Sequence, residues 1–363
     1  MRVALLTSGP PFDLKVLYCL QSMGAETDVI DLRGTSLTKY SRYRSGYERL
    51  IPPAVQGEVD RVWKSLEAYI ERRGPKVVVP SDIFSAGLLF ELKDRLEARI
   101  FPVSDSETLD TLDNKWRFYE FLVTHGLPTP KSILLRTPSD IEELSDTALS
   151  CPFLVKPLYG ESSHGIVRLN RTAEISDYVK GGSRYASLPL LVQELAPGYD
   201  ADLSVLAVDG GIVTYVIQSR RQAGALEFIH NDKVLELGRW IVRLANYSGV
   251  ANIDMRIDEV SNGVEILECN PRFWYTLQAS MWRGTNFVRA GIDAAMGRAR
   301  PSDGPHSGIY YLHGHLLKHV SWNPLKWSQI EKYNWQGLLQ ALTDPLPFLD
   351  VRSSLRFACP CKP

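Results

Sequence analysis

Over the first hundred positions, short continuous apolar runs alternate with apolar residues at helical spacing. Val3 to Leu6 reads as a buried strand, Phe12 to Met23 as a helix stopped by Gly24, and Thr27 to Leu32 as a second strand. Trp63 to Ile70 repeats the helical spacing, and Lys76 to Val79 is a β-branched run closed by Pro80. Strand, helix, strand in this rhythm predicts a parallel sheet with crossover helices. Ligands of such sheets lie beyond the carboxyl ends of the strands. Ser8-Gly9 and Ser81-Asp82 are therefore candidate cleft residues, with plain turn chemistry as the alternative.

The rhythm changes after Phe101 to Leu109. A helix through Leu122 stops at Gly126 and the extended Pro128-Thr129-Pro130 follows. Ile133 to Leu135 and Phe153 to Lys156 read as strands on either side of a helix over 139–144. Leu190 to Leu195, Leu203 to Val208 and Ile212 to Gln218 predict antiparallel sheet, with Asp209-Gly210-Gly211 as a hairpin turn. A helix over 233–247 precedes strands 251–257 and 264–269, and 287–296 is helical again. There is no internal repeat.

Length and composition add limits. The 363 residues suit two or three domains, and 44% hydrophobic with 23% charged residues is the composition of a globular chain. Lys plus Arg number 41 against 42 Asp plus Glu, so no global field recruits nucleic acid or an anionic membrane, and a small partner is expected. Cys19, Cys151, Cys269, Cys359 and Cys361 are an odd set that suits a reducing compartment. The start reads as a strand rather than a signal peptide, and no run reaches the about 18 apolar residues of a membrane span. A cytoplasmic protein is expected.

The chemistry concentrates in three places. Asn252-Ile253-Asp254 and Glu268-Cys269-Asn270-Pro271-Arg272 lie on two strands of a predicted hairpin. Their spacing lets Asp254 face Glu268, and alternation puts Glu268 and Asn270 on one face and Cys269 on the other. Three oxygen-bearing side chains beside an arginine suit magnesium that carries a nucleoside triphosphate, with an ordinary acidic hairpin as the bland alternative. Val155-Lys156-Pro157 ends an apolar strand, and Tyr159 to Ile166 is a Gly/Ser turn whose amides could cradle phosphate. Alone it reads as a simple hairpin. Gln193-Glu194-Leu195 followed by Pro197-Gly198 and Asp202 could link two lobes and meet adenine and ribose, or be a plain turn.

Taken in order with Asp113-Asn114-Lys115, Gly126-Leu127-Pro128-Thr129-Pro130 and Pro152 to Pro157, these segments resemble the ATP-grasp superfamily from about Asp113 to Gly297. The Asn-x-Asp and Glu-x-Asn-Pro-Arg pair looks most like the carbamoyl-phosphate-synthetase-like, carboxylate–amine ligase branch. Glu161-Ser162-Ser163 is similar to the phosphate loop of D-alanine-D-alanine ligase. The resemblance implies an α/β and α+β chain. A parallel α/β domain at 1–110 precedes a small lobe with the phosphate loop at 111–190. A large lobe with the magnesium site follows at 191–300, and an extension at 301–363 packs on it. It further implies that Lys115 and Lys156 contact ATP phosphates under Ser162, Ser163 and Gly165. Glu194 and Leu195 would meet adenine, Asp202 the ribose, and Asp254, Glu268 and Asn270 would hold Mg2+, for which Mn2+ can substitute. Arg272 would lie near an acyl phosphate.

The implied activity joins a small carboxylic acid, with amino acids included, to an amine. A carboxy-phosphate-using enzyme or a non-catalytic nucleotide-binding module are the alternatives, and a homodimer is compatible with the sequence. Arg221, or Arg220 by the other strand parity, is a candidate clamp for the substrate carboxylate. His164 departs from the small or apolar residue common in such loops. His313, His315 and His319 share a strand face without a carboxylate in view, and Cys359 and Cys361 read as incidental to a frayed terminus. Phe273, Trp274, Tyr275, Trp282 and Trp322 either wall a pocket or pack a layer.

Overall fold

The structure, a computed structural model, describes residues 1–50, 59–144, 149–160, 163–221, 224–298, 307–312 and 332–347. Side chains of 59–61, 332–334 and 341 are not described. Ser162, His313, His315, His319, Trp322, Cys359 and Cys361 lie outside these residues.

Strands β1 (Arg2–Thr7), β2 (Glu26–Asp31), β3 (Gly46–Arg49), β4 (Val77–Pro80) and β5 (Arg99–Ile100) form a parallel sheet in the order β3-β2-β1-β4-β5. Helices α1 (Asp13–Ser22), α2 (Val59–Arg73) and α3 (Ile83–Leu92) connect them. Helix α3 is apolar on nearly every side, which erases the helical period from its sequence and hides it there. Its start is set by a capping box, in which Asp82 accepts from Ser85 N–H and the Ser85 side chain accepts from the Asp82 N–H. The same carboxylate receives the Ser8 N–H and hydroxyl at 2.8 Å, so the two candidate cleft turns are tied to each other.

After α4 (Ser106–Asp113) and α5 (Lys115–Thr124) comes a four-stranded antiparallel sheet. It holds β6 (Ser132–Leu135), β7 (Phe153–Pro157), β8 (Val167–Leu169) and β9 (Leu190–Glu194) in the order β6-β9-β7-β8, with α6 (Pro138–Glu142) and α7 (Ala173–Lys180) beside it. Its own core contains Leu135, Phe153, Val155, Ile175 and Val192. The large sheet is also antiparallel. It comprises β10 (Tyr199–Val208), β11 (Gly211–Ser219), β12 (Ala225–Ile229), β13 (Gly249–Asp258), β14 (Gly263–Asn270) and β15 (Gly308–Tyr311), in the order β14-β13-β10-β11-β12-β15. Helix α8 (Asp232–Leu244) packs on it. So does α5, whose Phe118 and Leu122 sit in the large-sheet core although they lie within 111–190.

Helices α9 (Leu277–Trp282) and α10 (Phe287–Ala295) join the first domain to the large sheet through one apolar core. Val3, Leu5 and Leu17 meet Phe273, Trp274, Phe287 and Ile292 there. Phe273 and Trp274 are thus packing residues, Trp282 is partly buried against the same core, and Tyr275 stays about half exposed. Helix α11 (Lys332–Thr343) leans on α9, with Gln278 donating to Gln340 at 2.8 Å. Among the described residues no helix is long and apolar enough to cross a membrane.

Just past α11, the buried Asp344 accepts hydrogen bonds from the Tyr18 hydroxyl (3.0 Å), the Ser41 hydroxyl (2.5 Å) and Arg42 N–H (2.9 Å). Asp344→Ala would strand three donors, two of them buried hydroxyls. It is expected to cost about 2–4 kcal/mol, read as a lower urea midpoint. Asp344→Asn, which keeps an acceptor oxygen, should cost about half as much.

Candidate active site

The large sheet places three carboxylates side by side. The register sets Asp202 on β10 opposite Asp254 on β13, and Asp254 opposite Glu268 on β14. Strand spacing puts neighbours in such a row about 5 Å apart. Asn252 and Asn270 form the next rung toward the strand ends, and Cys269 is buried on the opposite face. Asn252 donates to Asp254 Oδ1 at 2.7 Å. Burial, reinforced by Asp202 and Glu268, pushes the Asp254 carboxyl well above the ordinary carboxylate range. Burial also raises Asp202, against the opposing charge of Arg220. Glu268 differs. Burial alone would raise it, but Lys115 and Lys156 outweigh that and hold it below its usual value.

Those lysines come from two elements. Asn114 caps α5 by accepting from Trp116 and Arg117 N–H, which makes Lys115 the first helical residue. Its Nζ lies 3.3 Å from Glu268 Oε2 and donates to Gly160 O at 3.3 Å. Lys156 ends β7 and is buried. It donates to Gln193 Oε1 at 2.7 Å, and Gln193 Nε2 in turn donates to the Ser132 hydroxyl. Burial lowers the Lys156 pKa, with Glu268 opposing.

The Gly/Ser turn comes up to Lys115 and Glu268. Gly160, Ser163 and His164 line a narrow cleft together with Lys115 and Glu268. Ser163 adopts a left-handed backbone (φ 58°), as does Gly165 (φ 79°). A Cβ at Gly165 would fall 2.5 Å from Tyr185, so this position requires glycine. Tyr178 donates to Gly165 O at 3.1 Å, and the His164 ring stacks on Tyr185. His164 thus faces the cleft, a placement that loop resemblance could not supply.

The remaining candidates divide. Arg272 reaches Asn270 Oδ1 at 2.9 Å and the Phe273 carbonyl at 3.2 Å. Arg220 pairs with Asp202 at 2.6 Å, so a ribose contact from Asp202 would require breaking that pair. Arg221 is not brought to the site. It lies over the Tyr199 ring and pairs with exposed Glu259 at 2.6 Å, so the parity that turns a side chain toward the acids belongs to Arg220. Glu194 accepts from Ser150 N–H at 2.7 Å, and Leu195 N–H is already bonded to Pro152 O. Asp113, partly buried near Arg272 and Lys115, has its carboxyl raised by burial.

The donor set fits a magnesium ion. Glu268 Oε2 is buried and faced by the Lys115 ammonium at 3.3 Å, and burial beside two acids presses the neighbouring Asp254 toward its neutral form, which a divalent cation would reverse. Among the described residues no three Asp, Glu, His or Cys side chains close on one point as a finished cage. An open, oxygen-only rim is what a magnesium needs when phosphate fills its other positions.

Two families match the chain in succession. The RimK-like ATP-grasp domain matches residues 112–232, and the family described as ATP-grasp in the biosynthetic pathway with Ter operon matches 186–311. The carbamoyl phosphate synthase large chain of Thermoanaerobacter sp. (strain X514) is 24% identical over 221 residues, 56% of this chain and 20% of that one. The formate-dependent phosphoribosylglycinamide formyltransferase of Variovorax paradoxus (strain S110) is 24% identical over 223 residues, 60% of this chain and 52% of that one. The chain therefore spans about a fifth to a half of the length of these relatives. Among solved structures, N5-carboxyaminoimidazole synthetase from Staphylococcus aureus complexed with ADP superposes with a TM-score of 0.66 at 16% identity, over 88% of this chain and 87% of that one. L-amino acid ligase from Bacillus licheniformis gives 0.57 at 16% identity, over 83% and 77%.

The carboxylate row carries its own prediction. A carboxyl whose folded pKa is raised contributes most to stability below its unfolded value and loses that contribution as pH rises through the folded value. Asp254→Asn should therefore melt above the wild type in metal-free buffer, with an advantage that grows from pH 5 to pH 8. Added magnesium and ATP should raise the melting temperature of the wild type and much less that of the variant; equal shifts would exclude Asp254 from the cation site. With two overlapping ATP-grasp family matches that together take in residues 112–311, and with them the lysines, the loop and the acid row, the chain belongs to the ATP-grasp superfamily.

Proposed function

We propose that the chain is an ATP- and magnesium-dependent carboxylate–amine ligase that forms an amide through an acyl phosphate and releases ADP and phosphate. The observation that carries this reading is a cleft where Lys115 and the Gly/Ser turn meet Glu268, with Asp254 beside Glu268 in the sheet and Lys156 close enough to feel both acids. Two ammonium groups beside that rim would offset the charge of a triphosphate, and the turn's amides would close over it. Asp254, Glu268 and Asn270 would hold magnesium, which when bound neutralises phosphate oxygens. Mn2+ is proposed to substitute. Adenine would meet the Glu194–Leu195 linker between the two antiparallel sheets.

Arg272, held by Asn270, would draw the acid's carboxylate to the phosphate end. A carboxylate oxygen attacks the γ-phosphorus as the bond to ADP breaks. The amine then attacks the acyl carbon, inorganic phosphate leaves, and the amine gives up a proton. The arginine stays charged throughout and stabilises the oxygens that gain negative charge.

A second reading, carboxylation through carboxy-phosphate, is favoured by the likeness to N5-carboxyaminoimidazole synthetase and the carbamoyl phosphate synthase chains. Bicarbonate-dependent ADP release without an organic acid would select it.

The test is ADP release with ATP and magnesium across amino acids and small carboxylic acids, with hydroxylamine as surrogate amine. A hydroxamate formed from one acid is the expected result. Glu268→Ala should reduce turnover by at least about 1,000-fold with the fold retained by circular dichroism, and Lys156→Met by about 100-fold or more. Unchanged turnover in Glu268→Ala would remove the magnesium assignment.

A further inference from the structure

Away from the phosphate end, four side chains meet where the first domain faces the segment after β14. The Arg272 guanidinium lies 4.6 Å from the centre of the Phe12 ring. Phe12 and Tyr275 pack edge to face with centroids 5.2 Å apart, and Lys15 Nζ lies 5.8 Å from the centre of the Tyr275 ring. Two cations thus flank one aromatic pair. Phe12 is buried beneath it, while Tyr275 leaves about half its surface open.

Lys15 is partly buried, and among the described residues its ammonium has no ion pair. The nearest carboxylate in sequence, Asp13, is turned elsewhere and accepts from the Ser36 hydroxyl at 2.5 Å and Leu14 N–H at 2.8 Å. Burial presses the Lys15 ammonium toward its neutral form, with Cys19 and Asp13 opposing. A lysine withdrawn from water without a partner is unfavourable, and it gains most from an anion that arrives with a ligand. The Tyr275 ring positions the ammonium without consuming its N–H donors. At the other end, Arg272 is bound to Asn270 of the acid rim.

We propose that the acid substrate is itself dianionic: its reacting carboxylate meets Arg272, its carbon chain lies along the open Tyr275 ring that Phe12 backs, and a second carboxylate or phosphate is received by Lys15. This rests on the ligase reading above. Phe12 and Lys15 come from the first domain, and Arg272 and Tyr275 from the segment after the large sheet. The shared apolar core fixes the distance between the two cations, so the pair selects acids by length as well as charge. A lysine that merely lays its stem over apolar surface would give the same burial but no selectivity between charged and neutral ligands.

The experiment measures ADP release by the full chain with ATP, magnesium and hydroxylamine, using matched acids: L-glutamate against L-glutamine, succinate against succinamate, and O-phospho-L-serine against L-serine. The member with the second anion should be preferred, and the preferred pair identifies it as carboxylate or phosphate. Lys15→Met should raise KM for that acid by about 10- to 100-fold with kcat within about twofold. It should leave the neutral member's kinetics unchanged, and Lys15→Arg should restore most of the loss. Neutral acids used as well as charged ones, or a Lys15→Met effect equal on both, would overturn this inference and leave the ligase reading standing. No ADP release with any organic acid, while ATP and magnesium are shown to bind, would overturn both.

Discussion

The constraint on which the site depends is a row of three carboxylates withdrawn from water on adjacent strands. Asp202, Asp254 and Glu268 cannot all be charged there without cations close by, and the surrounding groups are placed to supply them. Arg220 answers Asp202, and Lys115 with Lys156 answers Glu268. The middle carboxyl, Asp254, accepts from the Asn252 amide, and the pull of Arg220 on it is outweighed by burial and the two flanking acids. That leaves the centre of the row short of positive charge, next to Glu268, whose cleft Gly160, Ser163 and His164 line.

The two lysines belong to different bodies. Lys115 starts a helix that packs on the large sheet, whereas Lys156 ends a strand of the small sheet with its separate core. The first domain and the large sheet share one apolar core and move together. The small sheet is bound to that body by its linkers and by polar contacts such as Lys115 to Gly160 O, which are cheaper to rearrange than an apolar core. Charge attraction across the cleft therefore acts between two separately packed cores, while the acid row, Arg272 and the Phe12–Tyr275 pair belong to one of them.

Much of this was legible in the chain. Alternation within Glu268-Cys269-Asn270 and the hairpin spacing to Asp254 determine which side chains share a face, because a strand has a period of two whatever surrounds it. The strand–helix rhythm of the first domain is equally local. Glycines at 160 and 165 mark a backbone that β-carbons would obstruct, and the ordered segments from Asp113 to Gly297 pointed to the superfamily. Other features left no such trace. Helix α3 is apolar on nearly every side and so has no period to read, and α5 packs on a sheet that begins some 75 residues later.

Which arginine turns inward was decided only by tertiary structure. Residues 220 and 221 follow the end of β11, where alternation no longer carries a phase, and the pull of Asp202 brought Arg220 in while Arg221 went to Tyr199 and Glu259. The aromatics after β14 were equally ambiguous until packing placed Phe273 and Trp274 in the core and left Tyr275 at the surface between Phe12 and Lys15. The sequence by itself determined the local periodicities and the ordered set of chemical groups. The placing of Lys15 and Arg272, more than 250 residues apart, on one Phe12–Tyr275 pair required the folded chain, because long-range contacts are chosen by shared burial and charge and leave no mark in local spacing.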